Sequence, residues 1–274
     1  MEGRGSVMAK TVDLNCDLGE SFGNYKCGMD EKIIPYITSA NVACGFHASD
    51  PLIMQETVAV AKANHVRVGA HPGFQDLVGF GRRNIALPPN EITAIIEYQI
   101  GALNAFCTES QTPLQHVKPH GALYNMAAKD ERIADAICCG IAAVNRELIL
   151  LAPAGSKLIQ AAKRYGLASA REIFADRAYE EDGSLVSRKK PGALITDEEA
   201  AVRRVVQMIR HGTVAAVTGK EIEMEGDSIC VHGDSPGALK LVRSIRDGLI
   251  AEGIRIAPLE QVVSENGGHI LKCS

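Results

Sequence analysis

The stretch VDLNCDLGE, residues 12–20, alternates apolar and polar side chains near the start of the chain. This period of two predicts a β-strand. One face of that strand carries three polar side chains: Asp13, Asn15 and Asp17. A strand at the protein surface carries such residues for solubility, whereas inside a sheet the same groups need partners. The pattern along the rest of the chain decides between these two positions.

The composition is that of a globular protein long enough to bury a sizeable core. Its 274 residues are 46% hydrophobic and 23% charged, and the net charge of −4 offers no basic surface for nucleic acid. Aromatic residues make up 4% and Trp is absent, which also argues against base stacking. The eight cysteines include no CxxC pair. We therefore expect free thiols in a reducing cytosol.

Neither a signal peptide nor a membrane span is expected from this sequence. The N-terminus MEGRGSVMAK lacks an apolar core region, and no uncharged apolar run reaches about 18 residues. We therefore predict a cytoplasmic protein. The Gly- and Ser-containing start before the second Met indicates a cloning-derived or disordered leader at residues 1–7. Residues 8–274 are predicted to form a single barrel domain.

Short apolar runs alternate with helical patterns along the whole chain. One helix is predicted to begin with Asp50 and Pro51, and another to run from Thr196 or Asp197 to Gly212. Such alternation predicts a parallel sheet, either closed or open. Residues 213–233 break this rhythm, and we interpret them as a β-hairpin that turns at EGDS.

Polar side chains follow the C-terminal ends of five or six predicted strands. In chain order they are Asp13, Asn15 and Asp17; Asn41, Cys44 and His47; His71; Lys118 and His120; Glu172, Asp176 and Arg177; His232 and Asp234. An open sheet concentrates its site at one switch point, whereas a barrel draws catalytic residues from many strands at one rim. We therefore predict a distorted, TIM-like (β/α) barrel of about seven β/α units. The polar face of residues 12–20 then points into or over its mouth.

Two loops carry candidate functional residues with alternative roles. His47 is either a site residue or a locally hydrogen-bonded one, and Cys44 beside it is a nucleophile or a buried thiol. The loop GFGRRN, residues 79–84, lacks the third glycine of a dinucleotide fingerprint, and the chain has no Walker A motif. Its glycines next to Arg82 and Arg83 form either an anion-binding lid or a solvated turn.

Lys118 lies in a predicted interior strand, where a lysine is costly unless it is paired. The candidate partners are carboxylates: Asp13, Asp17, Glu172 and Asp176. Such a pair shifts both pKa values and is typical of a functional site. The remaining histidines are expected at the surface: His65, His116, His211 and His269.

A divalent metal such as Zn²⁺ is an alternative occupant of this rim. Asp13 or Asp17, together with His47 and His71, would supply mixed nitrogen and oxygen ligands. No HxH or HExxH motif occurs. The spacing therefore leaves the presence of a metal open.

Six ordered motifs resemble the LamB/YcsF family, the bacterial proteins that serve as the A subunit of 5-oxoprolinase. They are DLNCDLGESFG, SANVACGFHASDP, VGAHPGFQDLVGFGRR, VKPHGALYN, EIFADRAY with LVSR, and ICVHGDSPGA. The similarity runs from about residue 12 to residue 259. It implies a barrel related to carbohydrate deacetylases and glycoside hydrolases. It also implies ATP-dependent opening of 5-oxo-L-proline to L-glutamate, together with partner subunits B and C.

The resemblance and the rim residues together suggest a division of roles. Asp13 or Asp17 would act as general base on water, and Lys118, His71 and His120 would stabilise the oxyanion and assist protonation of nitrogen. The substrate-binding candidates are Asn15, Asn41, His47, Arg82, Glu172, Asp176, Arg177, Arg188, His232 and Asp234. Among these, the arginines suit a substrate carboxylate or phosphate.

Two rival functions remain open at this point. One is an autonomous metal-dependent amidase or deacetylase on the same barrel, and the other is a non-catalytic subunit. The polar side chains at the barrel mouth argue against the second, because a scaffold has no need of them. ATP is expected to bind with or through the partner subunits, and homo-oligomerisation is open.

Overall fold

The strands form a closed barrel in the part of the chain that the computed structural model describes, residues 10–187, 189–231 and 237–266. They are β1 (Thr11–Leu18), β2 (Ser39–Ala43), β3 (Arg67–His71), β4 (Leu114–Val117), β5 (Ile149–Pro153), β6 (Ser169–Phe174), β7 (Thr213–Ala215), β8 (Glu221–Glu223), β9 (Ser228–Val231) and β10 (Arg255–Ile256). Strands β1 to β6 and then β9 pair in parallel in that order, and β9 also pairs with β1. The predicted distorted barrel of about seven β/α units is confirmed. β1 therefore lies inside the sheet and not at a solvated edge.

Helices connect most consecutive barrel strands. They are α1 (Asp30–Ile33), α2 (Pro51–Ala63), α3 (Pro89–Glu109), α4 (Gly121–Ala127), α5 (Glu131–Val144), α6 (Lys157–Tyr165), α7 (Glu198–His211), α8 (Ala238–Ala251) and α9 (Leu259–Glu265). The Asp50 side chain accepts hydrogen bonds from two backbone N–H groups at the start of α2, as predicted. The Asp197 side chain accepts one hydrogen bond, from the Ala200 N–H at the start of α7, and Gly212 ends this helix in the left-handed conformation.

The hairpin predicted for residues 213–233 has its turn at the wrong residues. The antiparallel pair is β7 with β8, so the chain reverses at residues 216–220. EGDS instead leads from β8 into β9, which joins the barrel in parallel with β6 and β1. The alternating pattern of Ser228–Val231 therefore belongs to a barrel strand, which period-two alternation does not distinguish from a hairpin strand.

Hydroxyl groups surround Asp13 inside the barrel. Its carboxylate accepts hydrogen bonds from Thr38 Oγ1 at 2.7 Å, Ser39 Oγ at 2.6 Å and Ser228 Oγ at 2.5 Å. Burial raises the pKa of Asp13 to about 6, and these hydrogen bonds offset part of that shift. The polar face of β1 is therefore tolerated in the interior because hydrogen-bond partners surround its buried groups.

A chain of amides continues from there toward the C-terminal end of the barrel. Asn15 Nδ2 donates to Ser228 Oγ at 2.7 Å, and Asn41 Nδ2 donates to Asn15 Oδ1 and to Asp17 Oδ1, both at 2.8 Å. His116 Nε2 lies 2.7 Å from Asn41 Oδ1. The prediction that His116 lies at the surface is wrong, because its side chain is fully buried in the barrel.

The opposite end of the barrel has an apolar lining. Leu259 and Val263 of α9 pack with Ile149, Leu151 and Ala170 of β5 and β6. The cysteines in the described part of the chain are free thiols, as expected. Among the described helices, none has both the length and the apolar character needed to span a membrane.

Gly69→Ala tests the space that His116 occupies. An added Cβ at Gly69 would lie 2.1 Å from His116 Nε2, so the imidazole would have to leave its hydrogen bond to Asn41. We expect the free energy of unfolding to fall by about 1–3 kcal/mol, as for other overpacked cores. Urea denaturation measures this change. The control is Gly101→Ala in α3, where the added methyl meets no atom within 4 Å. Equal stability of Gly69→Ala and wild type would contradict the packing described.

Asp13 predicts a pH dependence of stability. Because its pKa rises from 3.8 to about 6 on folding, the folded protein holds the proton more tightly than the unfolded chain. Ionisation of Asp13 therefore removes ~3 kcal/mol of stability between about pH 4 and pH 7. Asp13→Asn lacks this titration, so its free energy of unfolding should improve relative to wild type over that range. Urea denaturation at each pH tests this, and parallel profiles for the two proteins would contradict it.

Candidate functional site

A cavity of about 160 Å³ opens at the C-terminal end of the barrel. This volume lies below the roughly 300–1,000 Å³ of pockets for drug-sized ligands, so it suits a small molecule. Its polar lining is Asp17, Glu20, Asp30, His71, Arg82, Asn84, Lys118, His120, Tyr124, Asn125 and Arg177. The position agrees with the general rule that barrel active sites lie at this face.

The ammonium group of Lys118 joins two carboxylates at the base of this cavity. Lys118 Nζ lies 2.8 Å from Asp17 Oδ1 and 2.8 Å from Glu172 Oε1, and 3.3 Å from Cys230 Sγ. Burial alone would lower the pKa of Lys118, but Asp17, Cys230 and Glu172 raise it well above its ordinary value. The predicted pairing of Lys118 with carboxylates is confirmed for Asp17 and Glu172. The lysine therefore stays charged in a buried position.

Tyr124 holds the second carboxylate of this group. Its phenol donates a hydrogen bond to Glu172 Oε2, and burial raises the pKa of Tyr124 well above its ordinary value. The Phe174 ring contacts Tyr124 edge to face. Glu172 is fully buried between these partners, so it positions Lys118.

Three histidines and one glutamate converge beside Asp17, and we call Glu20, His47, His71 and His120 the histidine cluster. One possible ligand atom from each member lies within 4.8 Å of the others. His47 and His120 stack with ring centroids 3.6 Å apart, and His71 Nε2 lies 3.3 Å from Asp17 Oδ2. The cluster therefore adjoins the carboxylate that Lys118 holds.

Burial sets the charge of the histidine cluster. It lowers the pKa of His47 and of His120 well below the ordinary histidine value, and the neighbouring histidines lower both further. Burial also raises the pKa of Glu20, with Asp17 as the next cause. His47 and His120 are therefore neutral imidazoles at neutral pH.

Two of the predicted arginines line the cavity. Arg82 lies with its guanidinium carbon 4.9 Å from the Phe80 ring centroid, and Arg177 donates a hydrogen bond to the Val186 carbonyl at 2.7 Å. The neighbouring Arg83 turns away and pairs with Asp76. Both arginines are exposed, as the solvated turn predicts, and of the two only Arg82 lines the cavity.

Several other predicted residues lie away from the cavity. Asp13 is four residues before Asp17, which is roughly 13 Å along a strand, so the metal set of Asp13 with His47 and His71 is not assembled. Asn15 and Asn41 form the interior hydrogen-bond chain, and Asp176 is half-buried outside the lining. Arg188, His232 and Asp234 lie outside the described residues, as does the leader at residues 1–7.

The structure decides between the two roles expected for Cys44, and it adds Glu20 to the candidate site. Cys44 is buried, its thiol contacts the Val42 carbonyl, and burial raises its pKa to about 12, so it is not an activated nucleophile. Glu20 was not among the predicted site residues, although it lies in the opening stretch. Its position two residues after the end of β1, on the same rim as Asp17, was the available clue.

The sequence matches a known family over most of its length. A sequence model of the LamB/YcsF family matches residues 12–264. The A subunit of 5-oxoprolinase from Clostridium beijerinckii is 62% identical over 251 residues, which cover 92% of this chain and 98% of that protein. The corresponding 5-oxoprolinase protein of Bacillus subtilis is 49% identical over 250 residues, covering 91% and 97%.

Solved structures agree with this relationship. The lactam utilization protein from Thermus thermophilus superposes with a TM-score of 0.86 at 45% identity, covering 90% of this chain and 99% of that one. The Xyl-CE4 domain of a xylanase from the hindgut metagenome of Trinervitermes trinervoides gives a TM-score of 0.51 at 10% identity, covering 96% and 93%, and shows a shared fold alone. The chain therefore belongs to the LamB/YcsF family.

Proposed function

We propose that this chain opens the lactam ring of 5-oxo-L-proline to give L-glutamate, as the A subunit of an ATP-dependent 5-oxoprolinase with partner subunits B and C. Relatives that carry this name are 49–62% identical over nine tenths of the chain. The observation that carries the proposal is the small cavity in which Asp17, Lys118, His71 and His120 converge. These groups can serve as base and as oxyanion partners for amide hydrolysis.

ATP has a chemical role in this reaction. A five-membered lactam is a stable amide, and phosphorylation of its oxygen makes the ring carbon susceptible to attack by water. Cleavage of the C–N bond in the resulting adduct opens the ring and leaves an acyl phosphate. A second water then hydrolyses this acyl phosphate to glutamate and phosphate. The chain carries neither a Walker A motif nor a complete dinucleotide fingerprint. We assign the phosphorylation, with ADP as a product, to the partner subunits, and the ring opening, with release of phosphate, to this chain.

Asp17 is the general base in this proposal. It lines the cavity, and its side chain is 16% exposed. Lys118 and Asn41 donate hydrogen bonds to its Oδ1, and its Oδ2 faces the histidine cluster. Asp13 does not share this position, because the hydroxyls around it lie deep in the barrel.

Lys118, His71 and His120 act on the oxygen and nitrogen of the amide. Preorganised donors and cations near the developing oxyanion stabilise it strongly where water is excluded. Lys118 is a charged donor with a buried side chain, so it can stabilise the oxyanion and donate a proton to the ring nitrogen.

Arg82 and Arg177 bind the substrate carboxylate in this arrangement. Both guanidinium groups line the cavity, and a guanidinium is the side chain best matched to a carboxylate. Their charges also suit the phosphate that the activated substrate would carry.

Asp17→Asn tests the base. We expect kcat for glutamate release by the complex of this chain with subunits B and C to fall ~10²–10⁴-fold, because the amide cannot accept the proton from water. Asp247→Asn, on the exposed side of α8, is the matched control and should keep wild-type kcat. Thermal unfolding of both variants verifies that they fold. Unchanged turnover with Asp17→Asn would remove the base assignment.

Arg82→Gln tests recognition of the substrate carboxylate. Loss of a charge-assisted hydrogen bond costs about 1.5–3 kcal/mol, so KM for 5-oxo-L-proline should rise about 10- to 100-fold with a smaller change in kcat. Arg83→Gln is the adjacent control, because Arg83 pairs with Asp76 and lies outside the cavity lining. Equal KM values for the two variants would contradict the role of Arg82.

A further inference from the structure

The members of the histidine cluster come from four segments that follow four neighbouring strands. Glu20 follows β1, His47 follows β2, His71 ends β3 and His120 follows β4. His47 Nε2 lies 3.2 Å from Glu20 Oε1, and His120 Nδ1 lies 3.5 Å from the same oxygen. Two ligands held about 2.1 Å from one tetrahedral Zn²⁺ lie roughly 3.4 Å apart. The two distances to Glu20 Oε1 are close to that value.

Hydrogen bonds to backbone carbonyls fix the ring protons of two members. His71 Nδ1 lies 2.7 Å from the Lys118 carbonyl, and His120 Nε2 lies 2.9 Å from the Phe80 carbonyl. Since a carbonyl only accepts, we assign a proton to each of these nitrogens. The other nitrogens, His71 Nε2 and His120 Nδ1, are then the ring atoms that face the interior of the histidine cluster. A carbonyl contact on the far nitrogen is the usual arrangement around metal-binding histidines.

These two nitrogens face each other at close range. His71 Nε2 and His120 Nδ1 are 2.9 Å apart. Asp17 Oδ2 lies 3.3 Å from His71 Nε2, and Glu20 Oε1 lies 3.5 Å from His120 Nδ1. Two imidazole nitrogens and two carboxylate oxygens therefore converge on one small volume, and a cation there would offset the repulsion between the carboxylates.

We propose that Glu20, His47, His71 and His120 form a binding site for one divalent metal ion of the Zn²⁺ type. Three imidazoles and one carboxylate are the donor set of such ions in proteins. This deepens the function proposed above, on which its catalytic meaning rests. The ion, with the phosphorylated lactam oxygen as a fifth ligand, would make the ring carbon in the same cavity more susceptible to water. His71 and His120 then act on the oxyanion by holding that ion, while Asp17 stays the base and Lys118 the proton donor.

Metal titration of the purified chain without substrate or partners tests this site. The apo protein is titrated with Zn²⁺ against a chelating dye to give the stoichiometry and Kd, and the bound metal is confirmed by elemental analysis. We expect one Zn²⁺ per chain, and a Kd at least ten-fold weaker for Glu20→Gln and for His120→Gln. His211→Gln, at the exposed end of α7, is the matched control and should bind as wild type does.

Substitution with Co²⁺ keeps the test independent of whether the variants fold. In the wild-type protein, a site of three nitrogens and one oxygen should give the intense visible absorption of four-coordinate Co²⁺. Absence of stoichiometric Zn²⁺ binding, or equal Kd values for wild type and both folded ligand variants, would overturn the site. A Co²⁺ protein that shows nothing but the weak spectrum of six-coordinate Co²⁺ would also overturn the site.

The outcome separates this site from the proposed function. A chain that binds no metal yet supports glutamate release in the complex overturns the metal site alone. The other outcome is that the chain binds one Zn²⁺ through these residues, but the complex releases glutamate equally well with and without the chain. That outcome overturns the ring-opening role alone.

Discussion

The ion pairs of Lys118 with Asp17 and Glu172 are the interaction on which the site depends. A buried ammonium is costly unless carboxylates and hydrogen bonds surround it, and removing one partner from such a group typically costs about 3–5 kcal/mol. Lys118, Asp17 and Glu172 follow or belong to β4, β1 and β6, so the charges join separate parts of the rim. The pairing also directs Asp17 Oδ2 toward the histidines. Structure and chemistry therefore rest on the same three side chains.

The interior of the barrel explains how so many polar groups are accommodated. Barrels of this type are usually filled by branched apolar residues. Here Asp13, Asn15 and Asn41 belong to a hydrogen-bonded chain that leads to Asp17, while apolar side chains of β5 and β6 pack against α9 at the other end. Because buried polar groups are tolerated only when they are paired, the chain restricts how β1 and β2 can orient their side chains. This hydrogen-bonded chain holds the Asp17 carboxylate in one position.

Much of the fold followed from the sequence, and a smaller part of the site did. Alternating strands and helices and the polar strand ends predicted the seven-unit barrel, and the cost of burying Lys118 predicted its carboxylate partners. The depth at which a side chain lies within the barrel was not predictable from the sequence. Asp13 and Asp17 lie on the same face of β1, and only the rise along the strand separates them. His116 was misplaced because the space made by Gly69 on a neighbouring strand is a tertiary feature. Glu20 was missed because its role depends on three histidines that are distant in sequence.

The measurement that tests the central claim most directly is reconstitution of glutamate release from 5-oxo-L-proline and ATP. The proposed partner subunits B and C are assayed with and without this chain, and ADP is measured in the same samples. We expect glutamate to form only when this chain is present, while the partners alone carry out the phosphorylation. Glutamate release by the partners alone at the full rate would contradict it, as would release by this chain alone without ATP.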